Sequence, residues 1–200
     1  MNRRILIATL LAAGFLLAGA GLVTAGSATA SLGHPAPDFN LRDTNGNEVK
    51  LSEYKGKIVV LEWINPDCPF VQRHYNNETM KKLADKYRDQ DVVWLAVNST
   101  HYMDAANNKQ WAERFKLPYP ILDDKTGTVG ETYGAKTTPH LFIVDRMGKL
   151  VYDGAIDDDP RGQSQSPLSY VDSALQQLVK GAEVEVTETR PYGCSVKYKK

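Results

Sequence analysis

Ile58 to Ile64 forms an almost unbroken apolar run, interrupted by Glu62 alone and rich in β-branched residues. Such a run predicts a strand buried on both faces, the central strand of a sheet. Val92 to Asn98 and the shorter Tyr119-Pro120-Ile121-Leu122 predict two more strands. Leu141 to Asp145 and Leu150 to Tyr152 flank Arg146-Met147-Gly148-Lys149 and predict an antiparallel hairpin. A second hairpin is expected over Asn40 to Leu51, where Asn45-Gly46 supplies the turn dipeptide.

Between these runs the spacing becomes helical. A helix is expected to start just after Cys68, to break near Asn76-Asn77, and to resume with Met80, Leu83, Ala84 and Tyr87 on one face, as one kinked helix or two short ones. Asp104 is placed to cap a helix burying Trp111, Ala112 and Phe115, and Asp123 or Asp124 to cap a brief one ending near Gly134. A last helix is expected to start at Ser166-Pro167, to present Leu168, Val171, Leu175 and Leu178, and to stop at Gly181. Asp153 to Gln165 is polar and reads as a solvated loop. Its Asp157-Asp158-Asp159 lacks the ligand spacing that calcium usually requires. The order of elements predicts an α/β domain, a central mixed sheet flanked by helices on both faces, with an N-terminal hairpin and a C-terminal tail.

The first thirty residues stand apart. Arg3-Arg4 precede an apolar run from Ile5 to about Ala25 that closes on Ala28-Thr29-Ala30, the pattern of a secretory signal peptide cleaved before Ser31. An uncleaved membrane anchor is the alternative, since roughly 20 apolar residues span a bilayer. Both readings put the domain outside the cytoplasm, periplasmic or secreted in the first case and membrane-anchored in the second. The expected division is 1–30 signal peptide, 31–181 the folded domain, and 182–200 a tail. The formal net charge is zero, and removing Arg3 and Arg4 leaves a slightly acidic chain with no basic stripe for nucleic acid. The two cysteines, Cys68 and Cys194, are too few for a disulfide scaffold but an obvious pair in an exported chain.

Chemistry concentrates at Cys68, where the central strand ends and a helix begins. A helix N-terminus stabilises a thiolate, the nucleophilic form of cysteine. Glu62 lies six residues earlier on the strand, and alternation puts it on the face that leads to the Cys68 turn. A carboxyl group buried there is costly unless protonated or paired, so it is a candidate proton carrier. Cys194 is a candidate partner thiol in a tail expected to be flexible, with Gly193 giving the backbone freedom to approach closely. A permanent staple, or pairing between two chains, is equally compatible with the spacing.

Taken together, Gly33-His34-Pro35-Ala36-Pro37-Asp38-Phe39, Asn65-Pro66-Asp67-Cys68-Pro69-Phe70-Val71 with His74-Tyr75, Thr137-Thr138-Pro139-His140, and Tyr192-Gly193-Cys194-Ser195-Val196-Lys197-Tyr198 resemble exported peroxiredoxin-like redoxin proteins. These are related to the alkyl hydroperoxide reductase and thiol-specific antioxidant family of the thioredoxin superfamily, and the match runs from about Leu32 to Lys180. The resemblance implies a thioredoxin fold and a thiol oxidoreductase without cofactor or metal. Cys68 would attack a peroxide oxygen or a protein disulfide, Glu62 would move protons, and Cys194 would resolve the intermediate. Pro139 would be a cis-proline facing Cys68. Asn65, Pro69, Thr138, His74 and His140 would line the substrate site, with the two histidines tuning the thiol or shuttling protons. A thiol reductant would close the cycle.

The departures are also informative. Thioredoxins carry Cys-x-x-Cys at this turn, whereas this chain reads Cys68-Pro69-Phe70-Val71. Peroxiredoxins usually place Thr or Ser three residues before the cysteine, where Asn65 stands, and an activating arginine that only Arg73 could replace here. Peroxiredoxin-like antioxidant activity is the primary expectation. Thiol-disulfide exchange on exported proteins and a non-catalytic binding module are the alternatives. The copper-delivery branch of the superfamily fits poorly, since it carries two cysteines separated by three residues.

Overall fold

The computed structural model describes residues 29–199. The signal-peptide expectation therefore falls on residues that lie, nearly all of them, outside the described ones. Among the described residues no helix is long and apolar enough to cross a membrane.

The core of the molecule is a seven-stranded mixed sheet. Its strands are β1 (Asn40–Asp43), β2 (Glu48–Lys50), β3 (Ile58–Trp63), β4 (Val92–Asn98), β5 (Ile121–Asp123), β7 (His140–Val144) and β8 (Leu150–Gly154), in the order β2-β1-β5-β4-β3-β7-β8. β3 is buried along its whole length. It runs parallel to β4, with Glu62 opposite Ala96, and antiparallel to β7, with Trp63 opposite His140. The first hairpin forms as expected, and Gly46 takes the positive φ of +83° that its turn requires.

Alternation along these strands divides the interior into two layers. Val60, Ile64, Trp94, Ala96, Leu141 and Ile143 face the layer covered by α1 (Pro69–Asn76), α2 (Thr79–Tyr87) and α5 (Tyr170–Val179). Trp111 of α3 (Ala105–Phe115) joins that layer. Leu61, Trp63, Leu95, Val97 and Phe142 face the other, closed by Tyr133 of α4 (Thr128–Tyr133) and by Phe39, Val49 and Leu51. The Asp104 capping expectation holds, its side chain accepting from the N–H groups of Ala106 and Asn107, whereas the cap position of the brief helix is taken by Gly127, and Asp124, three residues earlier, reaches in to accept from the Val129 and Gly130 N–H groups. The helical stretch after Cys68 is two short helices. Asn77 ends the first, and Glu78, at a left-handed φ of +57°, starts the second.

Three expectations need correction. The last helix begins at Tyr170, because Ser169 captures the Asp172 N–H as its cap, while Leu168 is exposed and tied by its N–H to the Asp158 carboxylate. Asp153 to Gln165 is not all solvated loop: Asp153 and Gly154 end β8, and Ala155, Ile156 and Asp157 are buried. The acidic run holds local structure together, with Asp159 accepting from the N–H groups of Gln163 and Ser164.

The tail is the third correction, since it is a strap fixed along the domain. Asp153 donates its N–H to the Thr187 carbonyl and accepts from the Thr189 N–H of the strap, Thr189 Oγ1 accepts from the Ala155 N–H at 2.8 Å, and the Tyr198 hydroxyl donates to the Ala135 carbonyl at 2.8 Å. Near its end, β9 (Cys194–Ser195) pairs antiparallel with β6 (Thr137–Thr138), the short strand before Pro139, with Cys194 opposite Thr138. Polar side chains that read as loop filler thus each find a backbone partner, which holds the strap in place.

Candidate active site

Cys68 is the N-cap residue of α1, and Pro69 follows at the first helical position, where its missing N–H costs nothing. The turn before it is shaped by Asn65, whose side chain accepts from the Asp67 N–H at 2.9 Å and whose carbonyl accepts from the Cys68 N–H at 2.9 Å. Asn65 therefore builds the turn and is itself buried, while Pro69 is exposed. The peptide bond between Thr138 and Pro139 is cis. It presents the Thr138 carbonyl to the Cys68 thiol, with Sγ 3.0 Å from that oxygen.

Cys194 completes the arrangement. Its thiol interacts with that of Cys68, and both cysteines are free. Burial pushes the Cys68 thiol up, but the Cys194 thiol, the Val71 N–H, the Thr138 side chain and the Cys194 N–H all favour its thiolate and leave it below its ordinary value. The Thr138 hydroxyl is buried and has no hydrogen-bond partner among the described residues. Cys194 is pushed up to about 11 by burial, by its hydrogen bond to Cys68 and by the charge that Cys68 would carry. The pair is asymmetric: its surroundings pull the Cys68 thiol down and push that of Cys194 up, so Cys68 is the more readily ionised of the two.

Glu62 is fully buried on the Cys68 side of β3, and its Oε2 accepts from Trp94 Nε1 at 2.8 Å. Burial pushes its carboxyl up to about 8, partly offset by Trp94 and Tyr75. It is therefore mostly protonated at neutral pH. Its Oε1 and the nearby hydroxyls of Tyr75 and Tyr119 have no hydrogen-bond partner among the described residues. Trp94 was not singled out from the sequence; it becomes the partner of Glu62 through the parallel register, which sets Ala96 beside Glu62 and puts Trp94 on the same face.

The histidines behave differently from each other and from expectation. His74 Nε2 lies 3.0 Å from the Tyr192 hydroxyl, which donates to the Asp157 carboxylate. Burial pushes His74 down to about 4, against the opposing pull of Asp157, so the ring is neutral at pH 7. His140 is on the opposite layer from Cys68, with its ring 4.4 Å from that of Phe142. Its Nδ1 accepts from the Lys136 N–H in the loop before Pro139 and its Nε2 reaches Asp153 of β8 at 2.7 Å, so both nitrogens are engaged away from Cys68. Arg73 does not reach Cys68 either. It donates to the carbonyls of Asp159 and Pro160 and lies over the Phe70 and Tyr192 rings. Tyr192 and Asp157 are site residues that the sequence reading did not single out. The Tyr-Gly-Cys run carried the signal for the first, and nothing local marked the second.

No group of three or more His, Cys, Asp or Glu side chains suited to a metal ion occurs among the described residues.

Residues 32–153 match the model of the AhpC/TSA family, well over half of the chain. The chain belongs to that family. It is 36% identical over 120 residues to the thiol-disulfide oxidoreductase ResA of Geobacillus thermodenitrificans, an alignment covering 60% of this chain and 67% of that protein. Among solved structures, an uncharacterised conserved protein from Geobacillus kaustophilus superposes with a TM-score of 0.77 at 34% identity, covering 84% of this chain and 93% of that one. The thioredoxin domain of thiol-disulfide oxidoreductase BVU-2223 from Bacteroides vulgatus shares the fold, with a TM-score of 0.54 at 24% identity over 62% of this chain and 89% of that one. This AhpC/TSA member is thus a thioredoxin-fold protein from a family of redox enzymes, as its sequence motifs implied.

Proposed function

We propose that the protein is a thiol-disulfide oxidoreductase in which Cys68 attacks and Cys194, carried on the C-terminal strap, does the work of the second cysteine of a Cys-x-x-Cys turn. The observation that carries this reading is the facing pair of free thiols, with Cys68 favoured as thiolate and Cys194 as thiol. The ResA relative is named for the same chemistry.

The cycle balances on these two sulfurs. The Cys68 thiolate attacks one sulfur of a protein disulfide, the substrate's S–S bond breaks, and its other sulfur leaves as a thiolate that takes up a proton. Cys194 then loses its proton and attacks Cys68 Sγ, releasing the second substrate thiol and leaving a Cys68–Cys194 disulfide. An external thiol reductant restores the pair. Glu62, protonated near neutrality, is the buried group on the Cys68 side of the sheet placed to give and take protons. Pro139 and Thr138 form the wall against which the reacting sulfur lies.

Peroxide reduction by the same thiol is the less favoured reading, because Arg73 is turned onto the 159–160 carbonyls and supplies no cation to Cys68. We place the domain outside the cytoplasm, with the mature chain starting at Ser31, on the strength of the Arg-then-apolar-then-Ala28-Thr29-Ala30 pattern.

The test compares two turnovers with one thiol reductant: reduction of a disulfide-bonded protein, and consumption of hydrogen peroxide. The expected result is disulfide reduction that disappears in Cys68→Ser and outpaces peroxide consumption. Peroxide consumption that depends on Cys68, with no disulfide reduction, would overturn the proposal.

A further inference from the structure

Cys68 is 1% exposed, too enclosed to meet a protein substrate as it stands. The chain's own strap lies beside it: Cys194 pairs opposite Thr138, whose carbonyl is 3.0 Å from Cys68 Sγ, and Tyr192 and Cys194 pack against the apolar cluster that includes Cys68. Gly193 has a φ of +134°, and a Cβ built there would stand 2.1 Å from the Thr138 carbonyl oxygen, so only glycine fits. Two residues before the cysteine, the Tyr192 ring enters a recess walled by Phe70, Arg73 and His74. Ring centroids are 6.1 Å from Phe70, the guanidinium lies 5.9 Å above the ring, and the hydroxyl meets His74 and Asp157. None of these contacts is needed to bring one thiol to another.

We propose that this cleft is a specificity site for an extended substrate segment of the form aromatic-glycine-cysteine, and that Tyr192-Gly193-Cys194 occupies it as an internal stand-in until such a segment displaces it. The inference rests on Cys68 being the attacking thiol. It adds a rule about the substrate: a phenol-bearing side chain two residues ahead of the reacting sulfur, and no Cβ between them. Displacement uncovers Cys68 and lets the mixed disulfide form. Return of the strap brings Cys194 back to the Cys68 sulfur and expels the segment, so entry and resolution alternate in one groove. The strap gains what strand pairing to Thr138 and the Tyr192 recess provide, and a substrate segment recovers the same contacts.

The test uses the whole mature chain carrying Cys194→Ser and short synthetic peptides whose cysteine is activated as a mixed disulfide with 2-thiopyridine. Cys68 attacks the peptide sulfur, the S–S bond breaks and thiopyridone leaves with the electron pair, so the release of thiopyridone reports the rate. A Tyr-Gly-Cys peptide is expected to react about tenfold faster than Ala-Gly-Cys and Tyr-Val-Cys peptides, the scale of discrimination that a contact pocket supplies. Asp157→Asn is expected to lower the tyrosine-over-alanine ratio, and Tyr192→Ala, by emptying the recess, to raise the rate with the tyrosine peptide. Equal rates for all three peptides, each dependent on Cys68, would overturn this specificity while leaving Cys68 as the nucleophile. Release of thiopyridone unaffected by Cys68→Ser would overturn the underlying function as well.

Discussion

The Sγ of Cys68 lies 3.0 Å from the carbonyl oxygen of Thr138, and Thr138 is also the residue opposite which Cys194 pairs. A single residue on β6 therefore touches the Cys68 sulfur on one side and pairs with Cys194 on the other. Two cysteines separated by more than half of the sequence are thus brought to the same residue of the fold.

The first prediction concerns acidity. Cys194 is the largest of the influences that favour the Cys68 thiolate, after burial has opposed it. In Cys194→Ala, which removes the donor, Cys68 should ionise at higher pH than in the wild type, as followed by the ultraviolet absorbance of the thiolate. The wild type should show two steps, the second near the value of about 11 to which Cys194 is pushed. Unchanged ionisation of Cys68 in the variant would contradict the donor role of Cys194.

Gly193→Ala tests the close approach of the strap. The new Cβ meets the Thr138 carbonyl oxygen at 2.1 Å and the backbone sits at φ +134°, a strain on the order of 1–3 kcal/mol. The strap should relieve it by lifting from β6, so Cys68 should react faster with an alkylating reagent, by several-fold. Slower or equal alkylation would mean that the strap does not control access.

Glu62 gives stability a pH dependence with a definite sign. Its carboxyl has an ordinary value of 4.5 and is pushed up to about 8 by burial. Between those values the folded protein holds a proton that the unfolded chain has released, so this contribution is fully present below about 4.5 and is lost as pH rises towards 8. Glu62→Gln keeps an acceptor for Trp94 and removes the ionisation. It should be the more stable protein at pH 8, by up to about 5 kcal/mol, with the advantage vanishing near pH 4. Urea midpoints at the two pH values check this. The same variant should reduce disulfides more slowly near neutrality if Glu62 supplies protons.

The fold was readable because its signals are local or periodic. The all-apolar β3 run, the Asn45-Gly46 turn and the Asp104 cap each specify their element without reference to the rest of the chain. Cys68, Glu62 and Pro139 were readable for the same reason, since each sits at a recognisable junction or in a motif. What escaped depends on long-range packing. Asp157 looks like one acid of a polar run and becomes part of the site only when the strap delivers Tyr192 to it across 35 residues. His140 adjoins Pro139 in sequence, yet strand alternation turns its ring to the layer away from Cys68. The strap itself carries no periodic apolar pattern. It is held by hydroxyls of Thr189, Tyr192 and Tyr198 bonding to distant partners, which composition reads as a loose end.

The central claim, that Cys68 attacks and Cys194 resolves, is most directly tested by mapping sulfur linkages after one turnover. Reduced protein is mixed with an equimolar disulfide substrate, quenched with an alkylating reagent, digested and analysed by mass spectrometry. The wild type should yield a Cys68–Cys194 disulfide with both substrate thiols released, and Cys194→Ser should stall with the substrate attached to Cys68. Substrate attached to Cys194, or a wild type in which Cys194 is still a free thiol after the substrate has been reduced, would contradict the account.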